Sequence, residues 1–107
     1  MANISLKQGD DAAIPLTITD AAGMAVSIAN ATLTCHLRKR GAASDLITPT
    51  LTHVNDPAGQ ARLDLSAAQT TNLPGDTVLV YEVEMLDGAG KTSTPVEGYC
   101  WVEADRG

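Results

Sequence analysis

Two alternating stretches, joined by a short turn-rich connection, constrain the fold of this chain more than any other feature. Apolar side chains recur at every second position within each stretch, as Ala61, Leu63 and Leu65 in the first and as Leu79, Tyr81, Val83 and Met85 in the second. A period of two is the pattern of a β-strand with one face in a core. In the connection, Ser66 followed three residues later by Gln69 is a capping box for one helical turn. The segment is therefore predicted to run strand, crossover, strand.

The rest of the chain continues this pattern of short strands and polar turns. Strands are predicted near residues 4–6, 14–18, 33–37 and 92–103, with weaker extended segments at 24–28 and 46–54, and with turns at 8–11, 20–23, 55–59 and 87–90. Pro15 has no backbone donor, so its strand is expected at a sheet edge or with that position turned away from its neighbour. About seven strands at this spacing predict an all-β fold, an antiparallel β-sandwich with one short helical turn.

Length and the ends of the chain favour one domain that acts where it is made. A chain of 107 residues buries roughly two thirds of the surface that it exposes when unfolded, so one core is expected across residues 1–107. Residues 104–107 are predicted to form a loose tail. No segment approaches the ~20 apolar residues of a membrane span, and the first residues lack the basic start and apolar core of a signal peptide.

The charge balance argues against nucleic acid as a partner. The net charge is −6, whereas phosphate binding requires clustered cations. One such cluster exists, formed by Arg38, Lys39 and Arg40 at the end of a strand. Its simplest interpretation is a solvated hairpin tip. If the cluster is functional, the expected target is an acidic patch on a protein partner.

The two cysteines, Cys35 and Cys100, both occupy inward positions of predicted strands. A secreted sandwich often joins such a pair by a disulfide between its sheets. Since an export signal is lacking, two buried free thiols are the favoured interpretation.

The last predicted strand has two chemically different faces. One face holds Val96, Gly98, Cys100 and Val102, and the other holds Glu97, Tyr99, Trp101 and Glu103. Because glutamates are almost never buried without a partner, the second face is expected to point outward. Tyr99 and Trp101 are then either a candidate interface or packed beneath a neighbouring loop of the same domain.

These segments together resemble a known family. The resemblance is carried by Gly9-Asp10-Asp11, by the turn at 20–23, by Gly59, Leu65-Ser66, Gln69-Thr70, Leu73 and Gly75, and by Tyr81-Glu82-Val83 with the turn at 87–90. The chain resembles the immunoglobulin-like N-terminal domain of phage baseplate upper proteins and related small tail modules. In related sandwiches a tyrosine often follows a Leu-Pro-Gly corner closely, whereas here Asp76-Thr77-Val78 follows the corner and Tyr81 comes later.

The resemblance implies an immunoglobulin-like fold and a structural role in a virion assembled in the host cytoplasm. Such domains attach a fibre, a receptor-binding protein or an adaptor to the tail or baseplate. Other virion proteins, in multiple copies, are then the expected partners. Residues that would serve as the interface are Tyr99, Trp101, Arg38, Lys39 and Arg40.

Catalytic and metal-binding patterns are missing from the sequence. His36 and His53 lie on separate segments, and neither cysteine belongs to a Cys-x-x-Cys pair. The serines fall in turns or caps, with no Gly-x-Ser-x-Gly elbow. The carboxylates of Asp64, Glu82 and Glu84 are on predicted solvent faces, where a glycosidase cleft is not expected. No enzymatic activity, metal, cofactor or small-molecule substrate is predicted.

The leading hypothesis is a non-enzymatic phage virion structural protein, acting as an assembly or attachment module of the tail, baseplate or fibre. One alternative is a carbohydrate-binding or adhesion module in which Tyr99 and Trp101 form a stacking platform. A second alternative is a capsid decoration protein.

Overall fold

The computed structural model describes residues 3–104, which form two facing β-sheets and one short helix. The strands are β1 (Ile4–Lys7), β2 (Ala12–Thr17), β3 (Thr32–Lys39), β4 (Thr52–Asn55), β5 (Gln60–Leu65), β6 (Thr77–Leu86) and β7 (Thr92–Glu103), and the helix is α1 (Ala67–Thr71). The predicted all-β sandwich with about seven strands and one helical turn is confirmed. Of the predicted tail, residues 105–107 lie outside the described residues, while the Ala104 N–H donates to Asp76 Oδ1 at 3.4 Å.

The strand order has the immunoglobulin arrangement with one difference. One sheet has the order β1-β7-β6-β3 and the other β2-β5-β4. With the strands lettered A to G in chain order, C, F and G share one sheet and B, E and D the other. Strand A, which is β1, lies against β7 and runs parallel to it, with Ile4 opposite Cys100. The other strand pairs are antiparallel, as expected.

The free edge of β3 is covered by residues 46–51. Leu37 is bridged to Ile47, and the backbone N–H of Cys35 donates to the carbonyl of Pro49 at 2.8 Å. The chain then crosses to the other sheet, where it continues as β4, and Leu51 at the crossing is buried. The weak extended segment predicted at 46–54 is therefore one stretch that changes sheets.

Alternate residues of both sheets form the core between them. The buried apolar residues include Leu33, Leu37, Leu63, Leu65, Leu79, Tyr81 and Val83. Burial of each such side chain contributes about 1.5–3 kcal/mol to folding. Met85 is only partly buried, because a bulge between Val83 and Met85 shifts the register of β6 against β7.

Strand β2 lies at the edge of its sheet, as the proline within it predicts. The Ile18 N–H, one residue beyond β2, donates to the Gly59 carbonyl at 2.7 Å on the β5 side. Because backbone groups alternate along a strand, Pro15 directs its missing donor position toward the free edge.

Helix α1 is fixed at its start and against the turn between β1 and β2. The predicted capping box is present, with the Gln69 N–H donating to Ser66 Oγ at 3.2 Å and the Ser66 N–H donating to Gln69 Oε1 at 2.8 Å. Thr70 is fully buried. Its hydroxyl donates to the Asp10 carbonyl at 2.8 Å and accepts the Gly9 N–H at 3.1 Å. One buried hydroxyl therefore joins the crossover to the first turn.

The two cysteines are free and buried, which was the favoured interpretation. Cys35 is on β3 and Cys100 on β7, with β6 between these strands. Two strand spacings amount to about 9–10 Å, more than the Cα separation of about 4.4–6.8 Å that a disulfide spans. Burial raises the pKa of each thiol to about 12. Both therefore behave as small apolar side chains at neutral pH.

Candidate functional site

Tyr99 and Trp101 lie on the outer face, the side of the β1-β7-β6-β3 sheet that points away from the core. Their neighbours in β7, Gly98 and Cys100, are buried, whereas Tyr99 is 40% and Trp101 41% exposed. The prediction that both aromatic side chains point outward is confirmed.

Two valines of β6 extend the aromatic pair into a larger surface. Val78 is directly opposite Trp101, and Val80 is directly opposite Tyr99. Val78 is 39% exposed, and Val80 is partly buried. We call Val78, Val80, Tyr99 and Trp101 the apolar patch. Val78 and Val80 are not among the residues predicted for the site. The sequence does carry a signal for them, because the apolar run through residues 78–81 indicates a strand with apolar side chains on both of its faces.

The three adjacent cations do not form one patch. Arg38 Nε lies 3.1 Å from Asp45 Oδ1, and Asp45 Oδ2 lies 2.7 Å from His36 Nδ1. Lys39 is exposed on the opposite side of β3, because side chains alternate along a strand. Arg40 follows β3 and crosses the outer face toward the apolar patch.

Arg40 joins two candidates that were inferred separately. Its guanidinium carbon lies 5.5 Å from the centroid of the Tyr99 ring, within the range of a cation–π contact. A depression of about 280 Å³ lies beside this contact, lined by Arg40, Gly41, Val80, Glu97, Gly98 and Tyr99. One face of the Tyr99 ring is therefore partly covered by the turn after β3, while the rest of the side chain stays exposed. Each of the two interpretations, an interface and packing beneath a loop, thus describes part of this side chain.

An acidic pair borders the patch. Glu82 and Glu97 are directly opposite each other on β6 and β7. Within residues 3–104 neither forms an ion pair, whereas Glu84 Oε2 lies 3.9 Å from His36 Nε2. Like charges in such a position destabilise a strand pair by roughly 0.2–1 kcal/mol. Glu82 and Glu84, considered above as catalytic candidates, thus lie on an open sheet face.

The histidines form two separate pairs with carboxylates. The second pair joins His53 Nδ1 to Asp56 Oδ1 at 2.7 Å in the turn between β4 and β5. In the part of the chain that the structure describes, no three His, Cys, Asp or Glu side chains are grouped as a metal site requires. None of the helical structure between residues 3 and 104 is long and apolar enough to span a membrane.

Comparison with known proteins gives no match to a family model or to a curated protein sequence. Function therefore has to be inferred from the geometry of the outer face, together with the resemblance described above.

Proposed function

We propose that this chain is a non-enzymatic structural protein of a phage virion, and that it works through lasting protein contacts at its outer face. The observation that carries the docking role is the apolar patch, in which Val78, Tyr99 and Trp101 are each about two-fifths exposed side by side. Trp and Tyr are enriched at the energetic centres of protein interfaces. The assignment to a virion tail, baseplate or fibre rests on the family resemblance.

The position of the patch favours tight docking. Its residues lie on β6 and β7, the two central strands of the four-stranded sheet. The residues between them in sequence, Leu79 and Cys100, are fully buried and hold both strands in place. Because these strands are already ordered, this chain loses less conformational entropy on binding than it would if the patch lay on a flexible loop.

Purified particles provide the test of the virion role. We expect mass spectrometry and electron microscopy to find the polypeptide in several copies per particle. Its absence from particles would remove the virion role, and its location within them would separate a tail module from a capsid decoration protein.

A matched pair of valine variants tests the docking surface. Val78→Ser changes the apolar patch, and Val54→Ser makes the same change on β4 of the other sheet, where Val54 is 58% exposed. We expect incorporation into particles to fall for Val78→Ser and to remain normal for Val54→Ser. Equal incorporation of both variants would exclude the outer face as the attachment surface.

Carbohydrate stacking is the second candidate, because Tyr99 and Trp101 share one face of β7. Arg40 lies over the Tyr99 ring, so a sugar would have to displace this side chain or stack on Trp101 alone. A glycan array distinguishes the two functions. Binding of a glycan that is lost in Trp101→Ala would favour the carbohydrate-binding module.

A further inference from the structure

The charges around the apolar patch fall into two groups. Arg38 and His36 share the carboxylate of Asp45, so each has a carboxylate partner within the chain, although Arg38 Nε and His36 Nε2 form no hydrogen bond with the described residues. By contrast, no ion pair within residues 3–104 involves Arg40, Glu82 or Glu97, although all three border the patch. The outer face thus presents unmatched charge of both signs beside exposed apolar surface.

The acidic pair is unfavourable in the isolated chain. Glu82 and Glu97 are held opposite each other by the register of β6 and β7, and like charges in this position repel. A cation placed between them would remove that repulsion. Arg40 lines the same depression as Glu97 but reaches the Tyr99 ring, so the chain does not supply this cation to itself.

A surface that complements this face needs an apolar centre, one arginine and one acidic group on its border. The outer face of a second copy meets that description. In a two-fold contact the same patch is used by both copies, so any pair between residues i and j occurs twice. Arg40 of each copy then faces the acidic pair of the other, and the apolar patches pack against each other.

We propose that the outer face binds a second copy of this chain around a two-fold axis, with Arg40 of each copy paired with Glu97 and Glu82 of the other. This inference rests on the proposed function and deepens it by naming the partner at the apolar patch. It also assigns a role to the unmatched charges, which the apolar contact alone leaves unexplained.

The experiment is a charge swap on the purified chain, followed by sedimentation velocity and by size-exclusion chromatography with light scattering. We expect the wild-type mass to rise with concentration from the monomer mass of 11.1 kDa to twice that value. Arg40→Glu and Glu97→Arg should each weaken dimerisation by about tenfold or more, because each places like charges together. The variant with both changes should recover dimerisation, since its reversed charges again face opposite ones.

Lys39→Glu is the matched control, because it makes the same charge change one residue away and on the other side of β3. It should leave the dimer intact. Glu97→Arg removes the repulsion with Glu82 and should therefore not destabilise the monomer. Circular dichroism with thermal unfolding checks that each variant is folded.

Each outcome bears on the proposal. A wild-type chain that stays monomeric up to roughly 1 mM, a concentration at which a Kd of that size would already give substantial dimer, would overturn it. A dimer that survives both single reversals, or that the double variant fails to restore, would overturn it as well. If the chain is monomeric but is found in particles, the two-fold contact is wrong and the proposed virion role stands. If the chain dimerises but is absent from particles, the virion role is wrong and the two-fold contact stands.

Discussion

Gly59 is the position at which a single added methyl group should damage this fold most clearly. Its backbone has φ = +67°, in the left-handed region that only glycine adopts without strain. A Cβ placed there would lie 2.5 Å from the Val26 carbonyl oxygen and 2.7 Å from the Ile18 carbonyl oxygen. Gly59→Ala is therefore expected to be strongly destabilising.

The magnitude follows from two contributions. The left-handed conformation costs an alanine about 1–2 kcal/mol. Relief of the two close contacts requires movement of backbone that is hydrogen-bonded, since the Ile18 N–H donates to the Gly59 carbonyl at 2.7 Å and the Val26 N–H donates to the Ile18 carbonyl at 2.9 Å. Weakening these two bonds costs about 0.5–1.5 kcal/mol each. The sum is about 2–5 kcal/mol, a large part of the ~5–15 kcal/mol that stabilises a typical domain.

Gly23→Ala is the control that isolates the contacts. Gly23 has a similar φ of +82°, but a Cβ there would meet nothing within 4 Å, so only the conformational cost of about 1–2 kcal/mol remains. Urea unfolding measures the free energy of unfolding of both variants. We expect this free energy to be lower for Gly59→Ala than for Gly23→Ala by about 1–3 kcal/mol. If the two variants lose the same free energy of unfolding, the claim that the 55–59 turn lies close against residues 18 and 26 is wrong.

Three further predictions concern the core and the outer face. Thr70→Val should cost about 1–3 kcal/mol in urea unfolding, because a carbonyl and an N–H of the turn between β1 and β2 lose their buried hydroxyl partner; an unchanged midpoint would contradict this. Cys35 and Cys100 should resist thiol reagents until the chain is unfolded, and rapid labelling of the native protein would count against burial. Because their pKa is raised from 9.0 to about 12, the unfolded state loses its thiol protons first, so stability should fall as pH rises from 9.0 toward 12. Glu97→Gln should stabilise the monomer by roughly 0.2–1 kcal/mol, whereas no gain in thermal unfolding would show that its opposition to Glu82 costs nothing.

The features that sequence predicted well depend on residues close together along the chain. The turn at 87–90 is an example, since the Asp87 carboxylate accepts the N–H groups of Ala89 and Lys91 at 2.9 Å each. The capping box of α1 and the outward direction of Tyr99 and Trp101 are local in the same sense. Alternation along a strand decides which face a side chain occupies, and it needs no knowledge of the neighbouring strands.

The features that sequence missed depend on which strands become neighbours. The parallel direction of β1 follows from its pairing with β7, some 96 positions away, and no local pattern in the four residues of β1 reveals it. The split of the cation cluster was partly readable, because alternation alone separates Lys39 from Arg38. The ion pair between Arg38 and Asp45 could not be predicted from sequence, since it requires residues 46–51 to return along β3.

The sequence alone could not show which residues come together at the candidate site. Arg40 and Tyr99 belong to elements that never pair, because β6 separates β3 from β7. The register places Val80 beside Tyr99 on the side toward β3. Arg40, which follows the end of β3, reaches the Tyr99 ring beyond this short side chain. The same register puts Glu82 opposite Glu97. One alignment of three strands thus creates the covered aromatic ring, the apolar patch and the unmatched acidic pair together, so the case for docking at this face depends on that alignment.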